Sequence, residues 1–377
     1  VTYQIYEDET ARIAALDAGS IDICAHMSVD NIKNLSDQYN VLEGTMNLVQ
    51  ALYLNNKVKP FDNEKVRQAL CYAVDVQSIL DLTEENVRET ARKSDVVMIQ
   101  VPSGAVAKWA EIVLAEGSRI IDIGADIRFR DVKVWEKWYG DKHTNPQMTH
   151  DAVYSMPEMN RELAKGKKLI ANPGCYPTAS TLGLQPMLKT GHIVENTIVI
   201  DAKSGFTGAG RRPALNKLLT EAENNFCAYA LGGGHRHTPE IEQNIAYITG
   251  KDLMKPETWQ YINFQPHLLP QVRGIEVTIY ATCDKDFTNE EVYELYKDFY
   301  KDEPFVKVFP SNMPVQTKWA YGTNFVEMTP TFDSRTHRLI VSSVIDNIGK
   351  GAAGQAIQNM NLIMGIPETT GLMMPPM

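Results

Sequence analysis

Asn172-Pro173-Gly174-Cys175-Tyr176-Pro177-Thr178-Ala179 follows the apolar run Lys168-Leu169-Ile170-Ala171 and precedes a helix-compatible stretch over 180–188. A strand, a glycine turn and a helix in that order put the thiol of Cys175 at a helix N-terminus. There the macrodipole and the unpaired backbone N–H groups favour a thiolate. An isolated cysteine is more often a small buried hydrophobe, which is the reading for Cys227 and Cys283. For Cys175 the setting points to a nucleophile.

Upstream, 95–101 and 119–123 are short apolar runs separated by a helical stretch over 105–115, which reads as a βαβ unit of a parallel sheet. Downstream, 197–201 and 274–280 read as strands that alternate with acidic helical pieces near Asn289-Glu290-Glu291-Val292, the mark of a second, mixed α+β domain. The fold class expected is α/β, a Rossmann-like parallel sheet followed by an α+β domain. There are no internal repeats and no low-complexity segments.

A nucleophilic thiol needs a proton-transfer partner. Gly232-Gly233-Gly234-His235-Arg236-His237-Thr238-Pro239-Glu240 offers two histidines behind a glycine run, and Glu240, three residues on, is spaced to orient an imidazole from the first turn of a helix. His-x-His also occurs in zinc sites, but no third and fourth ligands stand nearby in the right pattern, so no metal is expected. Lys203-Ser204-Gly205-Phe206-Thr207-Gly208-Ala209-Gly210-Arg211-Arg212 is a glycine-rich loop with cationic ends, and its backbone N–H groups with Lys203 and Arg211 suit phosphate oxygens. Arg128 follows a strand at the end where an open α/β sheet presents its ligand.

With 377 residues, 44% hydrophobic and 22% charged, the chain has the composition of a globular protein of two or three domains. A net charge of -10 argues against nucleic acid as a partner. No run approaches the roughly 18 apolar residues of a membrane span. The five cysteines are widely spaced without a CxxC pair, which predicts reduced thiols. Without an apolar span or a basic and apolar leader the chain reads as cytoplasmic with no membrane partner, and its charge leaves room for a local basic pocket that takes a phosphorylated small-molecule substrate. The sequence starts at Val1, read as a removed start or a chain that begins inside a longer reading frame.

Taken together the motifs match one family. These are DVVMIQVPSG (95–104), IDIGADIRFRD (121–131), AVYSMPE (152–158), ANPGCYPTA (171–179), AKSGFTGAGRR (202–212), GHRHTPEIEQ (234–243), PHLLPQVRGI (266–275) and DNIGKGAAGQAIQNMN (346–361). In this order they resemble N-acetyl-gamma-glutamyl-phosphate reductase over roughly the last three quarters of the chain. The resemblance implies an NADP(H)-binding Rossmann domain over 83–174 and 346–377. It also implies a catalytic and dimerisation domain over 175–345, of glyceraldehyde-3-phosphate dehydrogenase-like fold, and a homo-oligomer, dimer or tetramer. Cys175 would attack the acyl phosphate, and His237 or His235 would move the proton. Arg128, Arg211 and Lys203 would hold anionic groups, while Pro102, Ser103, Ser204, Gly205, Gly208, Asn347 and Lys350 would line the cofactor. Aspartate-semialdehyde dehydrogenase shares the cysteine chemistry, but the wording of 234–243 and 346–361 resembles the arginine-pathway enzyme more closely.

The opening stretch departs from that pattern. A family member begins with a strand, a glycine-rich turn and a helix that carries the pyrophosphate, yet residues 1–95 hold only Gly19 and Gly44. Residues 1–82 instead read as a helix over 10–16, a strand over 21–24 and an amphipathic run over 64–75. They resemble a segment of the solute-binding proteins of oligopeptide importers, too short to form a peptide cleft. A junction near 78–83 between two unrelated pieces is expected, with loss of the sheet's first strand and weakened cofactor binding. The rival reading is a fragment of a peptide-binding transport protein with a passenger attached.

Overall fold

The computed structural model describes residues 9–18, 20, 83–209 and 224–376. The chain divides into two compact units, residues 1–58 and 59–377. In the first, helix α1 (Glu9–Asp17) covers the helical stretch read at 10–16. The strand expected at 21–24 and the amphipathic run at 64–75 lie outside the described residues.

In the second unit, α2 (Glu84–Arg92), β1 (Val96–Ile99), α3 (Val106–Ala115), β2 (Arg119–Asp122), α4 (Val132–Tyr139), α5 (Pro146–Asp151), β3 (Val153–Tyr154), α6 (Pro157–Ala164) and β4 (Leu169–Ala171) come first. Their strands form a parallel sheet of order β1-β2-β4-β3. One face is packed by α2 and α3 through Val87, Ala91, Ala110 and Val113. Ala356, Leu362 and Ile363 of the C-terminal helix α11 (Gly354–Ile363) return to the other face and pack on Ile121 and Ile170. Strands covered on both faces carry continuous apolar runs rather than alternation, as Leu169-Ile170-Ala171 does with all three residues buried. Among the described residues β1 pairs only with β2, and three of its four residues are just half-buried.

Helix α7 (Cys175–Thr190) leads into the second layer. The rest comprises β5 (Val199–Ser204), β6 (Cys227–Ala228), α8 (Thr238–Ile248), β7 (Asn263–Leu268), β8 (Ile275–Thr282), α9 (Asn289–Phe299), β9 (Val306–Val308), α10 (Thr317–Ala320), β10 (Val326–Asp333) and β11 (Arg338–Ile345). The strands form a mixed sheet of order β6-β7-β5-β8-β11-β10-β9. Burial alternates strictly along β5 and β8, so one face, with Ile200, Ala202, Val277 and Ile279, packs on Leu182, Leu184 and Met187 of α7. The parallel sheet and the mixed sheet together bear out the fold class read from the sequence.

Helix α7 is buried on nearly every side, which makes its interior Pro186 costly. Proline has no N–H, so the carbonyl of Leu182 loses its partner one turn on. The hydroxyl of Tyr300 donates to that carbonyl at 2.6 Å, and the hydroxyl of Tyr296 donates to Gly183 at 2.8 Å. The tyrosines thus repair the helix from outside. We expect Tyr300→Phe to cost about 1–3 kcal/mol, the penalty of an unsatisfied buried acceptor. In a Pro186→Ala background the restored N–H should reduce that cost to below about 1 kcal/mol, as read by a urea-unfolding double-mutant cycle.

Candidate active site

Cys175 is the first residue of α7, and Gly174 is its N-cap. Glycine is required at 174 by close approach: a Cβ there would lie 2.6 Å from Nε2 of His237 and 3.0 Å from Nη1 of Arg128. On the other side, a Cβ on Gly351 would lie 2.8 Å from the Cβ of Cys175. Gly174, the residue before the cysteine, thus faces an imidazole and a guanidinium, a bare backbone turn lies against Cys175 itself, and the cysteine remains partly exposed.

Glu240 does not orient an imidazole, as its spacing suggested. It is fully buried. Its Oε2 takes Nη1 of Arg128 at 3.0 Å, and its Oε1 accepts from the N–H of Gly174 at 2.8 Å and from the hydroxyl of Tyr154 at 3.0 Å. Helix α8 begins at Thr238, so Glu240 points from its first turn at the α7 turn rather than back at His237. Arg128 is also not a free hook for an anion. Its Nε donates to the carbonyl of Asn172 at 2.8 Å and its Nη2 to that of Ile123 at 2.9 Å, so all three nitrogens are engaged by the protein.

The two histidines differ in setting. His235 accepts at Nδ1 from the backbone N–H of His237 at 3.0 Å, and its ring lies edge-on to Tyr176, Tyr229 and Phe264. Burial, with the Arg236 cation beside it, lowers its pKa to about 4. His237 turns Nε2 toward Gly174, and its Nδ1 is buried without a partner among the described residues. Burial above all, then His235 and Arg128, holds its pKa well below the usual imidazole range. Both rings are neutral at pH 7.

The expectation of a depressed thiol pKa is overturned. Burial pushes the Cys175 thiol up to about 11, against the downward pull of the N–H of Tyr176, of Arg128 and of the cysteine's own N–H. The helix N-terminus acts in the direction read from the sequence, but the desolvation of the thiol outweighs it, although the residue as a whole keeps some exposure.

The glycine-rich loop is not an open phosphate cradle at its start. The N–H groups of Gly205, Phe206, Thr207 and Gly208 donate to the carbonyls of Gly274, Gln271, Val272 and Gly205. Ser204 is buried on the α7 side of β5 and touches Tyr176, while a Cβ on Gly208 would meet the Ser204 hydroxyl at 2.6 Å. Lys203, one residue away, points to the opposite face, where it pairs with Glu276 and Asp201 at 3.1 Å each. Strand geometry thus separates it from Cys175. Arg211 lies outside the described residues. Asn347 spends both ends of its amide, accepting from Gly274 N at 2.7 Å and donating to Thr207 Oγ1 at 2.9 Å. The Lys350 side chain is fully buried against Glu158 at 2.6 Å, which removes it from any cofactor-facing role.

Pro102 and Ser103 follow β1 and are partly or fully exposed, at the carboxyl end of the parallel sheet where such sheets take ligands. Gln355 escaped the sequence reading. It is fully buried, and neither end of its amide has a partner among the described residues. An unpaired buried amide suits a group not made by this chain, such as the carboxamide of a nicotinamide. Tyr154 and Asn172 also went unremarked, although both lie inside quoted motifs.

A cysteine on a strand–turn–helix, a buried histidine beside it and a parallel sheet closed by the C-terminal helix define the semialdehyde dehydrogenase class. Residues 54–167 match the NAD binding domain of semialdehyde dehydrogenases, and 175–347 match the dimerisation domain. The chain belongs to the N-acetyl-gamma-glutamyl-phosphate reductase family. It is 48% identical to the enzyme of that name from Desulforudis audaxviator over 78% of this chain and 83% of that one. Against the one from Symbiobacterium thermophilum it is 47% identical, over 74% of this chain and 78% of that one. Aspartate semialdehyde dehydrogenase II from Vibrio cholerae has a similar fold, with a TM-score of 0.55 at 18% identity over 73% of this chain and 81% of that one. Residues 1–100 match the middle region of bacterial extracellular solute-binding proteins, family 5, in line with the segment read at the N-terminus.

The thiol environment gives a direct expectation. In the resting protein, alkylation of Cys175 by iodoacetamide should keep accelerating about tenfold per pH unit from pH 7 through pH 9, where an ordinary thiol of pKa about 8.5 levels off. Peptide mass spectrometry of quenched samples reads it, and a plateau below pH 8 would contradict the burial argument.

Proposed function

We propose that this chain's lineage activity is the reduction of N-acetyl-L-glutamyl 5-phosphate to N-acetyl-L-glutamate 5-semialdehyde through a thioacyl intermediate on Cys175. The observation that carries it is Cys175 at the start of α7, one residue from a glycine that faces the neutral ring of His237. The sulfur attacks the acyl carbon, the C–O bond to phosphate breaks, and phosphate leaves with its electron pair. The thiol proton passes to His237, whose neutral state at pH 7 leaves it able to accept. NADPH is the preferred cofactor on this reading; when bound it supplies the hydride that takes the thioester to the aldehyde level, held by Gln355 and the 102–103 turn. The C–S bond of the tetrahedral adduct then breaks as its oxygen re-forms the aldehyde carbonyl, and the departing thiolate takes back the proton that His237 held. His235 packs and hydrogen-bonds the His237 loop, so we give it a supporting role.

Arg128 and Glu240 act by positioning the Gly174 turn, and residues 83–174 with 346–377 form the cofactor-binding part around the catalytic part at 175–345. We infer a homo-oligomer from the dimerisation-domain match. The solute-binding match over 1–100 and the scarcity of glycine there, only Gly19 and Gly44, support a foreign N-terminal piece in place of the pyrophosphate-binding turn. Cofactor affinity should suffer more than acylation.

Two measurements separate these steps. Freshly prepared acyl phosphate should leave an N-acetylglutamyl adduct on Cys175 by intact-protein mass, absent from Cys175→Ala and formed at least about a hundredfold more slowly by His237→Gln, the range of a lost general base. Failure of the unmodified protein to acylate would defeat the thioacyl reading. NADPH formation from the semialdehyde and phosphate should be weak or undetectable. Robust turnover that vanishes in Cys175→Ala would instead mean that the N-terminus is tolerated.

A further inference from the structure

The segment between β11 and α11 is a π-turn over Gly349–Ala353. Such turns widen the helix locally and recur at functional sites. This one is wedged without slack. A Cβ on Gly349 would lie 2.2 Å from the carbonyl oxygen of Thr323, one on Gly354 would lie 2.4 Å from Oδ1 of Asn324, and one on Gly351 meets Cys175. Asp346 caps the start by accepting from the N–H groups of Ile348 and Gly349 at 2.8 Å each, and Asn172 donates to the carbonyl of Ala352 at 3.2 Å.

From the middle of this turn Lys350 projects away from Cys175 into the interior. Its Nζ donates at 2.6 Å to Glu158 and at 2.6 Å to Gln358, and both side chains of the ion pair are fully buried. Gln358 donates to Glu158 at 3.0 Å and to Glu368 at 3.1 Å, and Arg161 joins Glu303 to Glu368. A charge pair so placed fixes geometry, because either partner alone would be a buried unpaired ion. One end stands on the π-turn and the other on α6, so the pair clamps the backbone whose next residue closes over the nucleophile.

We propose that Lys350 is a positioning residue: its buried pair with Glu158 holds the π-turn against Cys175 and thereby sets the accessibility and reactivity of that thiol. The inference rests on Cys175 as the nucleophile, but its test does not depend on turnover, so a silent enzyme would leave it decidable. Release of the clamp lets the turn lift and water reach the sulfur, and the thiol relaxes toward an ordinary acidity.

The experiment is the pH profile of Cys175 alkylation by iodoacetamide in the full chain, with folding checked by urea unfolding. Lys350→Met leaves Glu158 unpaired and is apt to destabilise the fold, so the double variant Lys350→Met/Glu158→Leu, which replaces the pair with apolar groups, is measured beside it. Both should alkylate at pH 8 at least about tenfold faster than the unmodified protein, equivalent to a fall of one pKa unit or more. Arg161→Met cuts the outer part of the network, and it should lower stability while keeping the unmodified profile. A folded double variant with an unmoved profile, or an Arg161→Met variant that shifts as far as Lys350→Met, would overturn the proposal.

Discussion

The buried pair of Arg128 and Glu240 is the interaction on which the arrangement around Cys175 depends. Arg128 comes from the loop after β2, Glu240 from the first turn of α8, Gly174 from the turn before α7 and Tyr154 from β3. Four separate pieces of chain thus meet at one carboxylate. Two ions withdrawn from water are tolerated only with their hydrogen-bonding capacity filled. The cluster cannot drift by an ångström without stranding a charge, and the parallel sheet and the α7 layer are tied to each other at this point. His237, which lies against this cluster, stays neutral chiefly through burial, with His235 and Arg128 acting in the same direction.

Much of this was legible in the sequence, and the boundary between what was and was not has a physical basis. Cys175 and the histidine segment could be found because strand, glycine turn and helix leave local marks, and α7 begins on the cysteine itself. The parallel sheet announced itself through short apolar runs. Direction was harder to read. Lys203 and Ser204 are neighbours in a strand and face opposite sides of the sheet; Glu240 has helical spacing from His237 yet turns to Gly174. Lys350 reads as a residue lining the cofactor because nothing local reveals Glu158, 192 residues away. The thiol's acidity was misjudged for a related reason, since the helix N-terminus is a local property and burial a tertiary one.

The same distinction governs the N-terminal region. A family match over 1–100 overlaps one over 54–167, and the described part of the parallel sheet ends at β1 with its outer edge less covered than its centre. The described catalytic cluster draws on residues from 123 onward.

The glycines at 349, 351 and 354 carry one more consequence. At those three positions the turn presents hydrogen atoms on bare α-carbons, where most sites are shaped by side chains, and at 351 that surface lies against the nucleophile. Such a surface has little room to adjust by rotamer choice, so this stretch is brittle toward variation: a single added carbon intrudes on the Thr323 carbonyl at 349, on Cys175 at 351 and on the buried Asn324 amide at 354.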